Sequence, residues 1–192
     1  MPASMALPRV LLVVCLAALA PFALSGCELG KKGADHAEIR EGLDVEIDGV
    51  GYNVYITRQL NIKQPPDDDF FQGPDAPPGF VYYGVFIKAC NISDEVQSPI
   101  EKFIIEDTQG NEYENEELPE KNSFAYHAKE LEPGECIPLP GSAGDFNPTG
   151  GAMLLFELPV SAQQDRPLEL QLEGTLDPIK GERTEKTIEL DI

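Results

Sequence analysis

Histidine is almost missing: the 192-residue chain has only His36 and His127. Methionine is scarce as well, and beyond the first residues only Met153 remains. Copper handling needs clusters of both, so that chemistry is excluded. A Ser/His/Asp relay in the main part of the chain would have to use His127, and no Gly-x-Ser-x-Gly elbow accompanies it. Ser123 and Tyr126 stand near His127 in sequence, which does not make a relay. The chain is therefore expected not to be an enzyme, and no cofactor is expected. Basic residues are few, 14 against 34 acidic ones, for a net charge of −20. Nucleic acid and anionic lipid headgroups are poor partners for such a surface. A cationic partner or a metal ion suits it better, although solubility in a crowded envelope accounts for it without any ligand. Apolar spacing of three and four residues is nowhere sustained, which excludes a helical bundle.

What is present begins at the N-terminus. Arg9 precedes an apolar run from Val10 to Leu24, interrupted only by Pro21. The run has the length of a signal segment and is too short for a spanning helix. It ends in Leu24-Ser25-Gly26-Cys27. This resembles the lipobox of bacterial lipoproteins: a branched aliphatic residue, two small residues and a cysteine. The resemblance implies that Cys27 carries a diacylglyceryl group and that the chain is cut before it. Residues 1–26 would be removed, and the protein would sit on the outer face of the cytoplasmic membrane or cell envelope. Two or three acyl chains hold stably where one holds marginally, at ~0.8 kcal/mol per buried CH₂. No twin arginine is present, which favours general secretion. No later apolar run is long enough to span a bilayer.

Removal of the signal takes away Arg9 and no acidic residue, so 13 basic and 34 acidic residues remain, a charge of −21. It also discards Cys15. With Cys27 lipidated, only Cys90 and Cys136 remain. In an oxidising compartment an even pair reads as a disulfide. It would close a loop of about 47 residues, worth about 4 kcal/mol through chain entropy. Two separate thiols are the alternative. Residues 27–42 are polar, carry Gly30, Gly33 and Gly42, and show no apolar period. They read as a flexible tether reaching ~20–25 Å.

From Leu43 to Ile192 the period is two. Val45 and Ile47 alternate with acidic neighbours, and Val54 and Ile56 continue past a glycine turn. Phe80 to Ile92 is nearly all apolar and reads as a central strand. Phe103 and Ile105 follow, then Ala152, Leu154, Phe156 and Leu158, then Leu168, Leu170 and Leu172, then Ile188 and Leu190. Seven or more short strands predict an antiparallel sandwich over residues 43–192. Two long loops interrupt them. Asn61 to Gly79 holds five prolines, and Pro138 to Gly151 holds three prolines and four glycines. Loops of this length without structure are often functional.

Several fragments share an order found in one family. They are Val85 to Asp94, with its Asn91-x-Ser93-Asp94 ending; Phe103 to Tyr113, with Asp107-x-x-Gly110-x-x-Tyr113; Leu131-Glu132-Pro133-Gly134-Glu135; and Leu155-Phe156-Glu157-Leu158-Pro159. Together they resemble the immunoglobulin-like domain of bacterial lipoproteins and secreted antigens known as uncharacterised domain 4352, similar to the mycobacterial secreted antigen MPT-63. The match spans roughly residues 43–175. The resemblance implies an immunoglobulin-like sandwich outside the cell and supplies no catalytic residues. The loop 61–79 and the Cys90 and Cys136 pair depart from it. If Val85, Ile87 and Ala89 face the core, Lys88 and Cys90 face outward. A bridge would then lie on the outer face or an edge of one sheet, unlike the inter-sheet pin of antibody domains.

Two candidate sites fall in the first loop. Asp67-Asp68-Asp69, with Asp75 nearby, could offer oxygens to calcium. The alternation of an EF-hand is absent and Pro65-Pro66 stiffens the entry, so a solvated loop is the simpler reading. Phe70-Phe71 could anchor a partner, since aromatic residues concentrate at hot spots, or could fold back and be buried. Glu112, Glu114, Glu116, Glu117 and Glu120 read as an exposed edge that discourages strand aggregation. The Asn91-Ile92-Ser93 sequon carries little weight in a bacterium. The expected function is a membrane-anchored module that binds an envelope or extracellular protein, with loops 61–79 and 138–151 presented. The alternative is a small-ligand or calcium-binding lipoprotein using the acidic loop.

Overall fold

The computed structural model describes residues 39–192. Cys27, the signal segment and the first part of the expected tether lie outside the described residues. Alternating apolar residues close into two sheets, each burying one face against the other. Sheet A has the order β1 (Ile39–Arg40), β10 (Arg183–Leu190), β9 (Leu168–Leu176), β5 (Ile104–Glu106), β6 (Glu112–Glu114). Sheet B has the order β2 (Asp44–Ile47), β3 (Val50–Gln59), β4 (Phe80–Asn91), β7 (Cys136–Ile137), and β8 (Ala152–Pro159) also pairs with β4. All these pairs are antiparallel except β1 beside β10. This is an immunoglobulin-like antiparallel β-sandwich. No helix among the described residues is long and apolar enough to cross a membrane.

The core lies between the sheets. Val45, Tyr52, Val54, Val85, Ile87, Leu154 and Phe156 of sheet B meet Ile105, Leu168, Leu170, Leu172, Ile188 and Leu190 of sheet A. Each such side chain contributes about 1.5–3 kcal/mol by leaving water. β2 and β3 are joined by Asp48-Gly49, both at positive φ (50° and 75°), and Ile47 pairs with Val50. This is the two-residue turn whose twist matches the strands.

β4 is apolar over most of its length because both its faces are buried from Tyr82 to Ile87. Tyr83, Val85, Ile87 and Ala89 face the main core. Tyr82 and Phe86 face the other way, into a second cluster with Leu60, Phe70, Met153 and Leu155. The cover is the 61–79 loop, which the sequence leaves unstructured. It contains a one-turn helix, α1 (Asp67–Phe70), and lies back on the sheet.

Two details differ from the sequence reading. Ile39 and Arg40, ahead of the expected boundary at Leu43, already pair with Ile188 and Glu189. Val54 and Ile56 do not share a face. A β-bulge at Tyr55 shifts the register against β4, so Val54 is buried, Ile56 is 38% exposed and Thr57 turns inward.

Glu41, just after β1, shows one consequence of the early start. Its Oε2 accepts the Thr57 N–H at 3.3 Å, and its Oε1 is buried without a partner. Burial raises the carboxyl above its ordinary value of 4.5, and hydrogen bonds from Thr57 and the Asp191 backbone offset this only in part. A carboxyl raised in the folded state stabilises fully below its unfolded pKa and loses that contribution as pH rises through the folded value. Glu41→Gln is therefore expected to raise Tm by about 1–2 °C at pH 7 and by less at pH 4. Thermal melts at the two pH values check this, and an unchanged or lowered Tm at pH 7 contradicts it.

Candidate functional site

The polar residues of the recurring fragments hold turns together. Asp107 is buried at the end of β5, and its carboxylate accepts from the N–H groups of Gln109 and Asn111 (2.9 and 3.0 Å), the Asn111 amide, and the Tyr113 hydroxyl at 3.0 Å. Burial pushes this carboxyl up, and the bonds from Asn111, Tyr113 and Gln109 together outweigh it, so it sits below the usual range. Asn91, also buried, donates to the carbonyls of Glu95 (2.7 Å) and Leu131 (2.8 Å) and accepts from the Ser93 N–H and hydroxyl. The Asn91 backbone pairs with Glu135 and Gly134 at 2.9 and 3.0 Å. The Asn91-x-Ser93 and Leu131 to Glu135 fragments are thus two halves of one knot. Next to it a disulfide joins Cys90 to Cys136, directly opposed on β4 and β7 with Cα atoms 4.1 Å apart. The bridge lies within one sheet.

The acidic triplet is dispersed by its own folding. Asp67 is buried and forms a two-pronged ion pair with Arg58, with Nη1 to Oδ2 at 3.0 Å, while Oδ2 also accepts the Asn61 N–H at 2.7 Å. The Asp67 carboxylate is thus committed to Arg58 and Asn61 and not shared with Asp68 and Asp69. Among the described residues no three His, Cys, Asp or Glu side chains gather in a metal-binding group. Of the two readings open for Phe70, exposed anchor or folded back, the structure shows the second: the residue is only 1% exposed and stands edge-on to Phe86 and Phe124, with centroids at 5.0 and 5.3 Å. Phe71 is half-buried against Tyr82 at 5.1 Å. The His127 Nε2 lies 3.2 Å from the Asn122 carbonyl oxygen. The second loop does reach solvent. It carries a one-turn helix, α2 (Ala143–Phe146), and leaves Leu139 and Phe146 47% and 79% exposed.

The structure also forms a cleft that sequence reasoning missed. It has a volume of about 520 Å³, within the ~300–1,000 Å³ range of binding sites. One wall is the segment from Ser98 to Lys102, the other is the end of β9 from Gln171 to Leu176, and Ile47, Asp48 and Tyr52 lie between them. Both walls are pinned. The Tyr52 hydroxyl accepts the Ile100 N–H at 2.8 Å, and the Tyr126 hydroxyl donates to the Ile100 carbonyl at 2.9 Å. Phe103 packs edge-on to both rings. On the other side, the Asp48 carboxylate accepts from the Thr175 N–H and hydroxyl at 2.6 and 2.8 Å. Gly174 allows that approach, since a Cβ there would stand 2.7 Å from the Asp48 carboxylate. Burial, together with the nearby Asp48 charge, pushes the Tyr52 phenol up to about 12 against the opposing Ile100 bond, so it stays protonated at neutral pH. The rim is charged: Lys102 lies 3.7 Å from Glu114 and Arg183 lies 3.6 Å from Glu173. The arrangement is a preformed recess suited to binding. The local sequence signal for it is Ser98-Pro99, which stops the chain from pairing before β5.

No family model matches the chain, and no curated protein matches it. Solved structures share its fold. The yjhA protein of Bacillus subtilis aligns with a TM-score of 0.50 at 12% identity, covering 80% of this chain and 99% of that one. An uncharacterised β-sandwich protein of Clostridium difficile aligns at 0.46 and 12% identity, over 84% of this chain and 99% of that one. A candidate lipoprotein of Bacillus subtilis, ycdA, aligns at 0.43 and 10% identity, over 76% of this chain and 38% of its own length. At 12% identity the likeness to the yjhA protein is one of fold alone.

Proposed function

We propose that the chain is an extracytoplasmic lipoprotein, anchored through Cys27, whose sandwich is a non-catalytic binding module of the domain 4352 type for a protein of the cell envelope. The observation that supports this best is the pinned cleft. The motif side chains Asp107 and Asn91 are engaged in turns, whereas the cleft between Ser98–Lys102 and β9 has rigid walls and an open rim. A recess fixed before its ligand arrives loses little entropy on binding. The exposed Leu139 and Phe146 give the module a second surface for contact.

The anchor and the module are tested together in intact cells. The wild type is expected in the membrane fraction and Cys27→Ser in the soluble or secreted fraction. Retention of Cys27→Ser on the membrane would overturn the anchor. A photo-crosslinking residue at Glu101 or Phe146 is expected to give a discrete adduct with an envelope protein. No adduct from either position would overturn the module.

A further inference from the structure

We propose that the cleft takes an extended basic segment of the partner protein, which joins sheet A as an added strand along the open part of β9. This inference rests on the binding-module reading and names the chemistry of its ligand. β9 is paired by β10 from Leu168 to Glu173 and again at Leu176, with a register shift between them. On its other side β5 pairs only with Glu169, Leu170 and Gln171. Beyond Gln171 no strand of the described residues pairs with that edge.

Backbone groups along a strand point to alternate sides. The Thr175 N–H points to the cleft side, where the Asp48 carboxylate takes it at 2.6 Å. Gln171, opposed to Ile104, lies on the β5 flank. Phe103 turns both its backbone groups to Asn115, so Ile104 turns its own to Gln171, and Glu173, two residues on and before the register shift at Gly174 and Thr175, presents its N–H and C=O on the same flank as Gln171. The opposite wall is held away from this edge at two points, Ile100 and Phe103, on either side of Glu101 and Lys102. Ile100 is held at both its N–H and its carbonyl by Tyr52 and Tyr126. Phe103 is held at both by Asn115, at 2.8 Å to the side chain and 3.1 Å from the backbone N–H. The gap is therefore a notch with a strand edge on one side and a fixed wall on the other. Added strands use main-chain bonds for affinity and alternate side chains for specificity.

The notch also has a sign. Asp48, Glu101, Glu114 and Glu173 face Lys102 and Arg183 around it, four carboxylates against two cations. A segment alternating Lys or Arg with β-branched residues would pair its cations with this rim and set its apolar side chains toward Ile47 and Ile104 on the floor.

The test uses the mature chain, residues 27–192 with Cys27→Ser, labelled with ¹⁵N and titrated at low salt. The probe is the capped hexapeptide (Lys-Val)₃, with (Glu-Val)₃ as its opposite. Saturable binding of the basic peptide is expected, with the largest amide shifts at Glu173, Gly174 and Thr175. Glu101→Lys with Glu173→Lys should weaken it by roughly tenfold or more, while the matched change Glu117→Lys with Glu120→Lys, away from the cleft, should not. N-methylation of alternate peptide bonds should abolish binding, since a strand needs those donors. Shifts scattered over the acidic surface, equal losses in the two double variants, or undiminished binding of the N-methylated peptide would each overturn the proposal. If the peptide fails while crosslinks from Glu101 or Phe146 persist in cells, strand addition falls and the binding module stands.

Discussion

Phe70→Ala is expected to lower unfolding stability by about 3–5 kcal/mol, the range for truncating a buried aromatic residue. Its ring is 1% exposed and packs edge-on to Phe86 and Phe124. The Arg58 guanidinium stands 5.8 Å from the centroids of both Phe70 and Phe86, so the ring also carries part of a cation–π contact. Truncation would open a cavity beneath a charged side chain already committed to Asp67. The segment itself stays attached, because the Phe70 carbonyl accepts from the Asn122 amide at 2.8 Å and Asp67 holds Arg58. Collapse of the loop into the space is thereby limited, which places the cost toward the upper end. Phe71→Ala, half-buried beside Tyr82, should cost only about 1 kcal/mol. Urea unfolding of both variants separates the readings. A cost below about 1 kcal/mol for Phe70→Ala would mean that the loop is not packed on the sheet.

The same loop shows where sequence reading stops. The alternation in β2, β9 and β10 is legible because one buried face writes itself directly into a period of two. The apolar run of β4 from Phe80 to Ile87 announces two buried faces, and nothing in it says what covers the second. The cover comes from Ile62, Phe70 and Phe71, isolated among prolines and aspartates, and their contacts lie far along the chain: Phe70 meets Asn122 at a separation of 52 residues. β1 was hidden for the same reason. Two residues give no period, and the partner of Ile39 is Ile188, at the far end of the chain. The bulge at Tyr55 is set by register against β4, which local alternation cannot reveal. The motif fragments were recognisable as turns with polar residues at fixed offsets. That Asn91 reaches Leu131 across 40 residues, which makes two motifs one device, is a tertiary fact. The cleft is less legible still, because it exists where β5 stops short of β9.

That device and the disulfide beside it give the other large prediction. Replacing both Cys90 and Cys136 by Ala is expected to lower stability by about 4 kcal/mol, mainly through the freedom restored to the unfolded chain. The native junction has other means of holding β7 in place. Asn91 binds Glu135 and Gly134 through its backbone and Leu131 through its side chain. The folded β4–β7 pairing should therefore survive loss of the bridge, with amide spectra near Asn91 little changed. Asn91→Ala acts on the folded state instead. It removes one of two donors from each of the Leu131 and Glu95 carbonyls, which keep the Gln97 N–H and the Ser93 hydroxyl, at about 0.5–1.5 kcal/mol for each bond lost. If the two devices act on different states, their costs add to within about 0.5 kcal/mol in the triple variant, although the residues are neighbours. If the bridge instead holds the native junction, the triple variant departs from additivity, because either change alone would already loosen β7. Urea unfolding of the three variants and the wild type measures the coupling. A cost below about 1 kcal/mol for the double cysteine replacement would remove the entropic account altogether.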